Sequence, residues 1–175
     1  MKNAELIKTI ASINKKYGDG TVVLGSDIIE QPPRFTSGSL ALDVSLGGGW
    51  PANQWHELIG EASNGKTAIA LKTIAANQKK DPNFTAVWIA AEQWVPEYAE
   101  LCGVDVSRLY VVSTNIMEEA YETVIEITGS KAVDCIVLDS LPALVPSAED
   151  DKEMEESTVG RGALLTNKFF RKVGK

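Results

Sequence analysis

Between Trp55 and Asp139 short apolar runs alternate with stretches of helical period. WHELI (Trp55 to Ile59), TAVWIA (Thr85 to Ala90), LYVVS (Leu109 to Ser113) and CIVLD (Cys135 to Asp139) each read as a strand. They are nearly all apolar instead of alternating, the mark of strands covered on both faces. Helices are expected between them. One runs from about Lys66 to Gln78 and is ended by the turn residues Asp81-Pro82-Asn83. A short one follows Ala90, with Pro96 near its first turn, where the missing N–H is harmless. A third covers about Glu118 to Thr128. Strands separated by helices predict an α/β fold with a mainly parallel sheet between helices.

Ahead of this alternation, Leu6, Ile7, Ile10, Ile13 and Tyr17 share one face of a helix over Asn3 to Tyr17, with lysines opposite. Gly18-Asp19-Gly20 stops it, TVVL (Thr21 to Leu24) reads as a short strand, and QPPR is a rigid spacer. Residues 1–33 are therefore expected to form a helix-strand arm, able to dock on the body (34–175) or on a neighbouring subunit. Beyond Pro146 the character changes: EDDKEMEE (Glu149 to Glu156) holds six acids in eight residues, most simply a solvated face. Its functional reading is a loop that keeps duplex or protomers at a distance. Ser157 to Lys175 has no acid and carries Arg161, Lys168, Arg171, Lys172 and Lys175. That stretch reads either as a helix with Leu164, Leu165, Phe169 and Val173 on its core side, or as a salt-sensitive phosphate contact.

At 175 residues, 44% hydrophobic and 23% charged, the composition is that of an ordinary globular chain with one sizeable core. No apolar run is long enough to span a bilayer and the N-terminus has no signal-peptide core, so no membrane role and a cytoplasmic location are expected. A net charge of −7 argues against a surface coated for non-specific nucleic-acid binding, but leaves room for a local basic path. Cys102 and Cys135 lack CxxC spacing and read as inert thiols, not zinc ligands. His56, the only histidine, reads as a strand residue, and Trp50, Trp55 and Trp88 as packing residues. Trp94 has two readings, packing or a wall of a nucleotide pocket.

The stretch Gly60-Glu61-Ala62-Ser63-Asn64-Gly65-Lys66-Thr67 matches the P-loop pattern in full, with a strand before it and a helix after. Glycines let successive N–H groups converge on phosphate oxygens, and the helix adds its positive end. Lys66 brings a point charge to the β- and γ-phosphates, and the Thr67 hydroxyl can ligate Mg²⁺. The plain alternative is a glycine-rich connecting turn. Asp139 closes an apolar strand where an acid holding the Mg²⁺ shell, through water, belongs; the alternative is an N-cap. Glu92 follows TAVWIA at the same sheet edge, as a base for an attacking water or as a solvated strand-end charge.

Four stretches occur in order: TSGSLALDVSLGGGWP (Thr36 to Pro51), GEASNGKT, AAEQWVPEYAELCGVD (Ala90 to Asp105) and VDCIVLDSLPALVP (Val133 to Pro146). Together they resemble the RecA recombinases over nearly the whole chain. The resemblance implies a RecA-type P-loop NTPase core that uses ATP and Mg²⁺, preceded by an oligomerisation arm that builds a helical filament. It makes Lys66 and Thr67 the phosphate and magnesium residues, Glu92 the catalytic carboxylate and Asp139 the Walker B acid. Tyr98 resembles the tyrosine beside the adenine. The stretch after Pro146 resembles the first DNA-binding loop, with Gly160, Arg161 and Gly162 as turn and contact residues. The implied function is ATP-dependent recombination and repair: binding single-stranded DNA as a filament and pairing it with homologous duplex DNA. The alternative is a non-catalytic nucleotide-binding fragment, or a partner of a complete recombinase.

Three departures qualify the match. The segment from Glu92 to Tyr98 is one residue shorter than the family pattern, and Trp94 or Val95 stands where a polar adenine contact is expected, which leaves base selectivity open. Ala90 replaces a frequent acid and has no assigned role. The family also continues into a further core strand, a second DNA loop and a C-terminal domain, so the core is expected to be C-terminally incomplete and unable to exchange strands alone.

Overall fold

The computed structural model describes residues 2–28, 32–147 and 160–174. The chain divides into two compact units, Met1–Pro32 and Pro33–Lys175. Among the described residues no helix is long and apolar enough to cross a membrane. The acidic run from Glu149 to Glu156 lies outside the described residues.

The first unit is built on α1 (Lys2–Tyr17), whose apolar residues Leu6, Ile7 and Tyr17 are exposed. Thr21 to Leu24 does not form the expected strand; it bends and leads into a 3₁₀ turn at Gly25–Asp27. An isolated strand has no ladder to hold it. The Asn14 side chain serves one residue instead, donating to the Val22 carbonyl at 3.0 Å and accepting from the Val22 N–H at 2.8 Å.

In the second unit β3 (Ala86–Ala90) is the middle of a three-stranded parallel sheet, flanked by β4 (Leu109–Ser113) and β5 (Cys135–Asp139). Every β3 residue is buried, which explains its unbroken apolar run. Its side chains alternate between two clusters. Ala86, Trp88 and Ala90 join Leu71 and Ile74 of α3 (Lys66–Lys80) and Ala99 of α4 (Pro96–Leu101). Val87 and Ile89 join Ala120, Tyr121 and Val124 of α5 (Met117–Ser130) and Phe169 of α6 (Arg161–Val173). Trp94 takes the packing reading, its ring 5.5 Å from that of Trp88. Burial pushes the Cys135 thiol up to about 11, which keeps it protonated and unreactive at neutral pH.

The glycine-rich stretch folds into a clasp against α3. β1 (Arg34–Phe35) pairs antiparallel with β2 (Trp50–Pro51), and the short α2 (Leu40–Ser45) lies between them in sequence. Gly49 at φ 106° brings its Cα so close to β1 that a Cβ there would sit 2.2 Å from the Phe35 carbonyl oxygen. The Asp43 carboxylate accepts from the Ser37 N–H at 2.7 Å and from the Thr36 hydroxyl. Its backbone carbonyl accepts from Gly48 and Gly49 at 2.7 and 3.2 Å. Buried polar groups of α3 complete the joint: Asn77 donates to the Thr36 carbonyl at 2.8 Å, and Trp50 donates to the Thr73 hydroxyl at 3.1 Å.

Two further expectations are corrected. Trp55 to Ile59 does not form the expected strand, and Ile59 is 84% exposed. The reason is spatial: Trp55, Leu58 and β5 residues line the same cavity of about 670 Å³, so no sheet neighbour lies within ladder reach. On α6, Leu164 is exposed and Thr166 joins Leu165, Phe169 and Val173 on the inner side. Phe169 stacks on Tyr121 with centroids 4.2 Å apart, and the Tyr121 and Thr166 hydroxyls bond at 2.7 Å.

Beyond β5 the chain is tied back to the start of α5. Val145 donates to the Asn115 carbonyl at 2.8 Å, and its own carbonyl accepts from the Met117 N–H at 2.8 Å. The Ser147 N–H then donates to the Glu118 carboxylate at 2.9 Å.

Candidate functional site

Gly60 to Thr67 wraps around the N-terminus of α3. Ser63 at φ 62° and Gly65 at φ 82° are left-handed, and such turns aim successive backbone N–H groups inward. Gly65 caps the 15-residue α3, whose positive end adds to the field in the loop. Glu61, Ala62, Ser63 and Asn64 are exposed, while Lys66 and Thr67 are half-buried. The Lys66 ammonium donates to the carbonyls of Gly60 and Glu61, at 2.9 and 2.7 Å, which holds it over the loop.

Sheet register carries both carboxylates to the loop. Ala90 at the end of β3 lies opposite Asp139 at the end of β5. The Asp139 carbonyl then accepts from both Ala91 and Glu92 N–H groups, at 2.9 and 3.2 Å. The Thr67 hydroxyl donates to Asp139 Oδ2 at 3.0 Å. Burial pushes the Asp139 carboxyl above its ordinary range and the nearby Glu92 charge adds to this, while the Thr67 hydrogen bond and Lys66 oppose it. A residue that sequence reading missed closes the chain: Ser140 Oγ donates to Glu92 Oε1 at 2.6 Å. The only signal was its place directly after Asp139.

Lys66, Thr67, Asp139, Ser140 and Glu92 thus form one connected group. Tyr98 is exposed on α4, and among the described residues no hydrogen bond links it to that group. Gly160 is the left-handed residue that caps α6, and Arg161 is exposed at its first position. Gly162 is not a turn residue. It sits in the first turn of α6, where an added Cβ would meet Met117 at 3.5 Å and Pro146 at 3.7 Å. The donor set fits a polyphosphate with a divalent cation: a cationic, N–H-rich loop faces a hydroxyl and a carboxylate whose oxygens lie 3.0 Å apart.

The family model of the RecA N-terminal domain matches residues 4–175. A "Protein RecA" of Enterococcus mundtii is 41% identical over 175 residues, covering 98% of this chain and 50% of the relative. One from Lactobacillus delbrueckii subsp. bulgaricus is 40% identical, covering 98% and 52%. One from Mesomycoplasma hyopneumoniae is 40% identical, covering 96% and 50%. The chain therefore spans about half the length of the curated relatives it matches. With its family model matched from residue 4 to residue 175, the chain belongs to the RecA family, as an N-terminal portion.

Proposed function

We propose that this chain is the ATP-binding, RecA-type P-loop part of a cytoplasmic DNA-recombination and repair protein. The observation that carries the reading is the unbroken hydrogen-bonded group from Thr67 through Asp139 and Ser140 to Glu92, placed beside Lys66 and the left-handed loop. Gly60 to Thr67 holds the phosphates by backbone N–H groups, and Lys66 neutralises their charge. Thr67 and Asp139 offer neighbouring oxygens to Mg²⁺, Asp139 through water. The ion would supply charge stabilisation on the phosphate oxygens. Glu92 orients water and takes its proton, and the Ser140 hydroxyl fixes which way that carboxylate faces. Tyr98 is assigned to the adenine side on resemblance alone.

The arm of residues 1–33 serves homo-oligomer formation as a helical filament, with the apolar face of α1 as its contact, and residues 34–175 form the core. Gly160 and Arg161 belong to the stretch after Pro146 assigned to single-stranded DNA, with Gly162 as a packing anchor; pairing with homologous duplex DNA belongs to the whole protein.

Calorimetric titration with Mg-ATP tests the site. Lys66→Ala is expected to weaken binding tenfold or more, since a hydrogen bond to a charged group contributes about 1.5–3 kcal/mol. Glu92→Gln is expected to leave binding intact while abolishing turnover in a complete relative. Equal affinity of wild type and Lys66→Ala would refute the assignment.

A further inference from the structure

Asn64 is the one asparagine of the sequence that a glycine follows. Such a pair is chemically labile wherever the side chain is free to turn onto the backbone, because glycine has no side chain to shield its own nitrogen. The structure leaves both partners free. Asn64 is exposed and lies outside any helix or strand, in the bend just before α3. The side-chain hydrogen bonds of the loop belong to Lys66 and Thr67, and among the described residues none involves the Asn64 carboxamide. The Gly65 N–H finds no backbone acceptor among them, and the space where a Cβ of Gly65 would stand is empty to 4 Å.

Other asparagines are held or shielded. Asn14 is pinned to Val22 through both atoms of its carboxamide. Asn77 is buried and donates to two carbonyls. Asn53 is exposed, but a glutamine side chain follows it. The setting of Asn64 adds an electrostatic push. Attack on a carboxamide passes through an oxyanion, and preorganised positive charge lowers that barrier. The start of α3 and the Lys66 ammonium, held by the Gly60 and Glu61 carbonyls, supply such charge in the same loop. The field that suits a phosphate suits this intermediate as well.

We propose that Asn64 is a site of spontaneous deamidation in the nucleotide-free loop. The Gly65 nitrogen loses its proton and bonds to Asn64 Cγ; the Cγ–Nδ2 bond breaks, and ammonia leaves with that proton. One water then opens the succinimide ring at either carbonyl. The product is aspartate or, with the chain rerouted through the side-chain carbon, isoaspartate. Water is the only co-reactant, and no electron changes hands. Either product puts a carboxylate into the loop, and isoaspartate also lengthens the backbone by one carbon ahead of the Gly65 N–H. The effect on nucleotide rests on the proposed function: a bound phosphate engages the loop N–H groups and stops the attack, and the added carboxylate repels the phosphate.

The experiment ages the 1–175 chain at neutral pH and follows residue 64 by peptide mass spectrometry, with electron-transfer fragmentation to separate isoaspartate from aspartate. The free peptide GEASNGKT, aged beside it, sets the scale, and Asn53 is the internal control. Circular dichroism at each time point checks that the chain stays folded. Residue 64 is expected to gain one mass unit at a rate within tenfold of the free peptide, while Asn53 does not change. Saturating Mg-ATP should slow the gain at least fivefold. The converted chain should bind Mg-ATP at least tenfold more weakly than the fresh chain in calorimetry. Asn64→Ser should gain no mass at this residue and should keep its own starting affinity on ageing. No gain at residue 64 while the free peptide converts would overturn the proposal. So would equal rates with and without bound nucleotide, or a converted chain that binds as the fresh one does. If the fresh chain binds no nucleotide, the proposed function fails, and the mass gain at residue 64 alone still decides this site.

Discussion

Replacing Asp43 by Asn changes one oxygen to an amide and leaves the shape of the clasp almost intact. The carboxylate accepts from the Ser37 N–H at 2.7 Å and from the Thr36 hydroxyl. Those bonds, from Ser37 and then Thr36, hold its carboxyl below the ordinary value of 3.8. In the variant the Thr36 hydroxyl can turn and accept from the new amide, so both contacts survive as neutral hydrogen bonds. A charged hydrogen bond contributes about 1.5–3 kcal/mol and a neutral one about 0.5–1.5. Two bonds at this half-exposed site, with allowance for screening, make the expected loss about 1–2 kcal/mol near neutral pH. Because the folded chain binds this proton less tightly than the unfolded chain, the stabilisation is full above the unfolded value. It disappears as the pH falls through the lower folded value. Urea unfolding followed by far-ultraviolet circular dichroism, from about pH 7 down to ~pH 3, is the assay, with equal slopes in the two proteins as a control. The gap should be widest at neutral pH and close at the acid end. A gap of constant size, or none at neutral pH, would refute the reasoning.

The other expectations are simpler to read. Gly49→Ala forces a Cβ to 2.2 Å from the Phe35 carbonyl oxygen at a left-handed φ, and should cost ~3 kcal/mol in chemical denaturation. Phe169→Ala removes the ring stacked on Tyr121 and touching Trp55, with an expected loss of about 3–4 kcal/mol and a changed tryptophan emission. Asp139→Asn should raise the melting temperature near neutral pH while weakening Mg²⁺-dependent nucleotide binding. Folding raises this carboxyl's proton affinity, so its ionisation subtracts stability that the amide restores. A lower melting temperature for Asp139→Asn would show that the Thr67 bond outweighs burial.

Sequence pattern located β3, β4, β5 and the helices α3 to α5 to within a few residues, because each pairs or packs with elements inside this chain. It failed where the missing information was a neighbour. Trp55 to Ile59 has strand composition, but its side of β5 is a cavity, and composition does not report which segments find a ladder partner. Thr21 to Leu24 failed for the same reason. The phase of α6 was misjudged at Leu164 because two adjacent leucines fit two helical registers, and only Phe169 on Tyr121 decides between them. The loop, Asp139 and Glu92 were legible as a motif and as acids at strand ends. Ser140 was not, since a serine after an aspartate signals nothing until a carboxylate 2.6 Å away gives its hydroxyl a direction. The buried amides of α3 were equally silent, because Asn77 looks like a solvent residue until the clasp takes its amide, and Gln78 until the backbone of Asp105 and Arg108 does.

The tether beyond β5 has a mechanical consequence. Over residues 145–147 the chain is fastened three times to the start of α5, by two backbone bonds at Val145 and one carboxylate bond at Ser147. Tension applied past Ser147 is taken up there before it reaches Ser140, as a cable clamp takes the load off a soldered joint. A pull from that side is expected to reach the carboxylates of Glu92 and Asp139 only after those three bonds part.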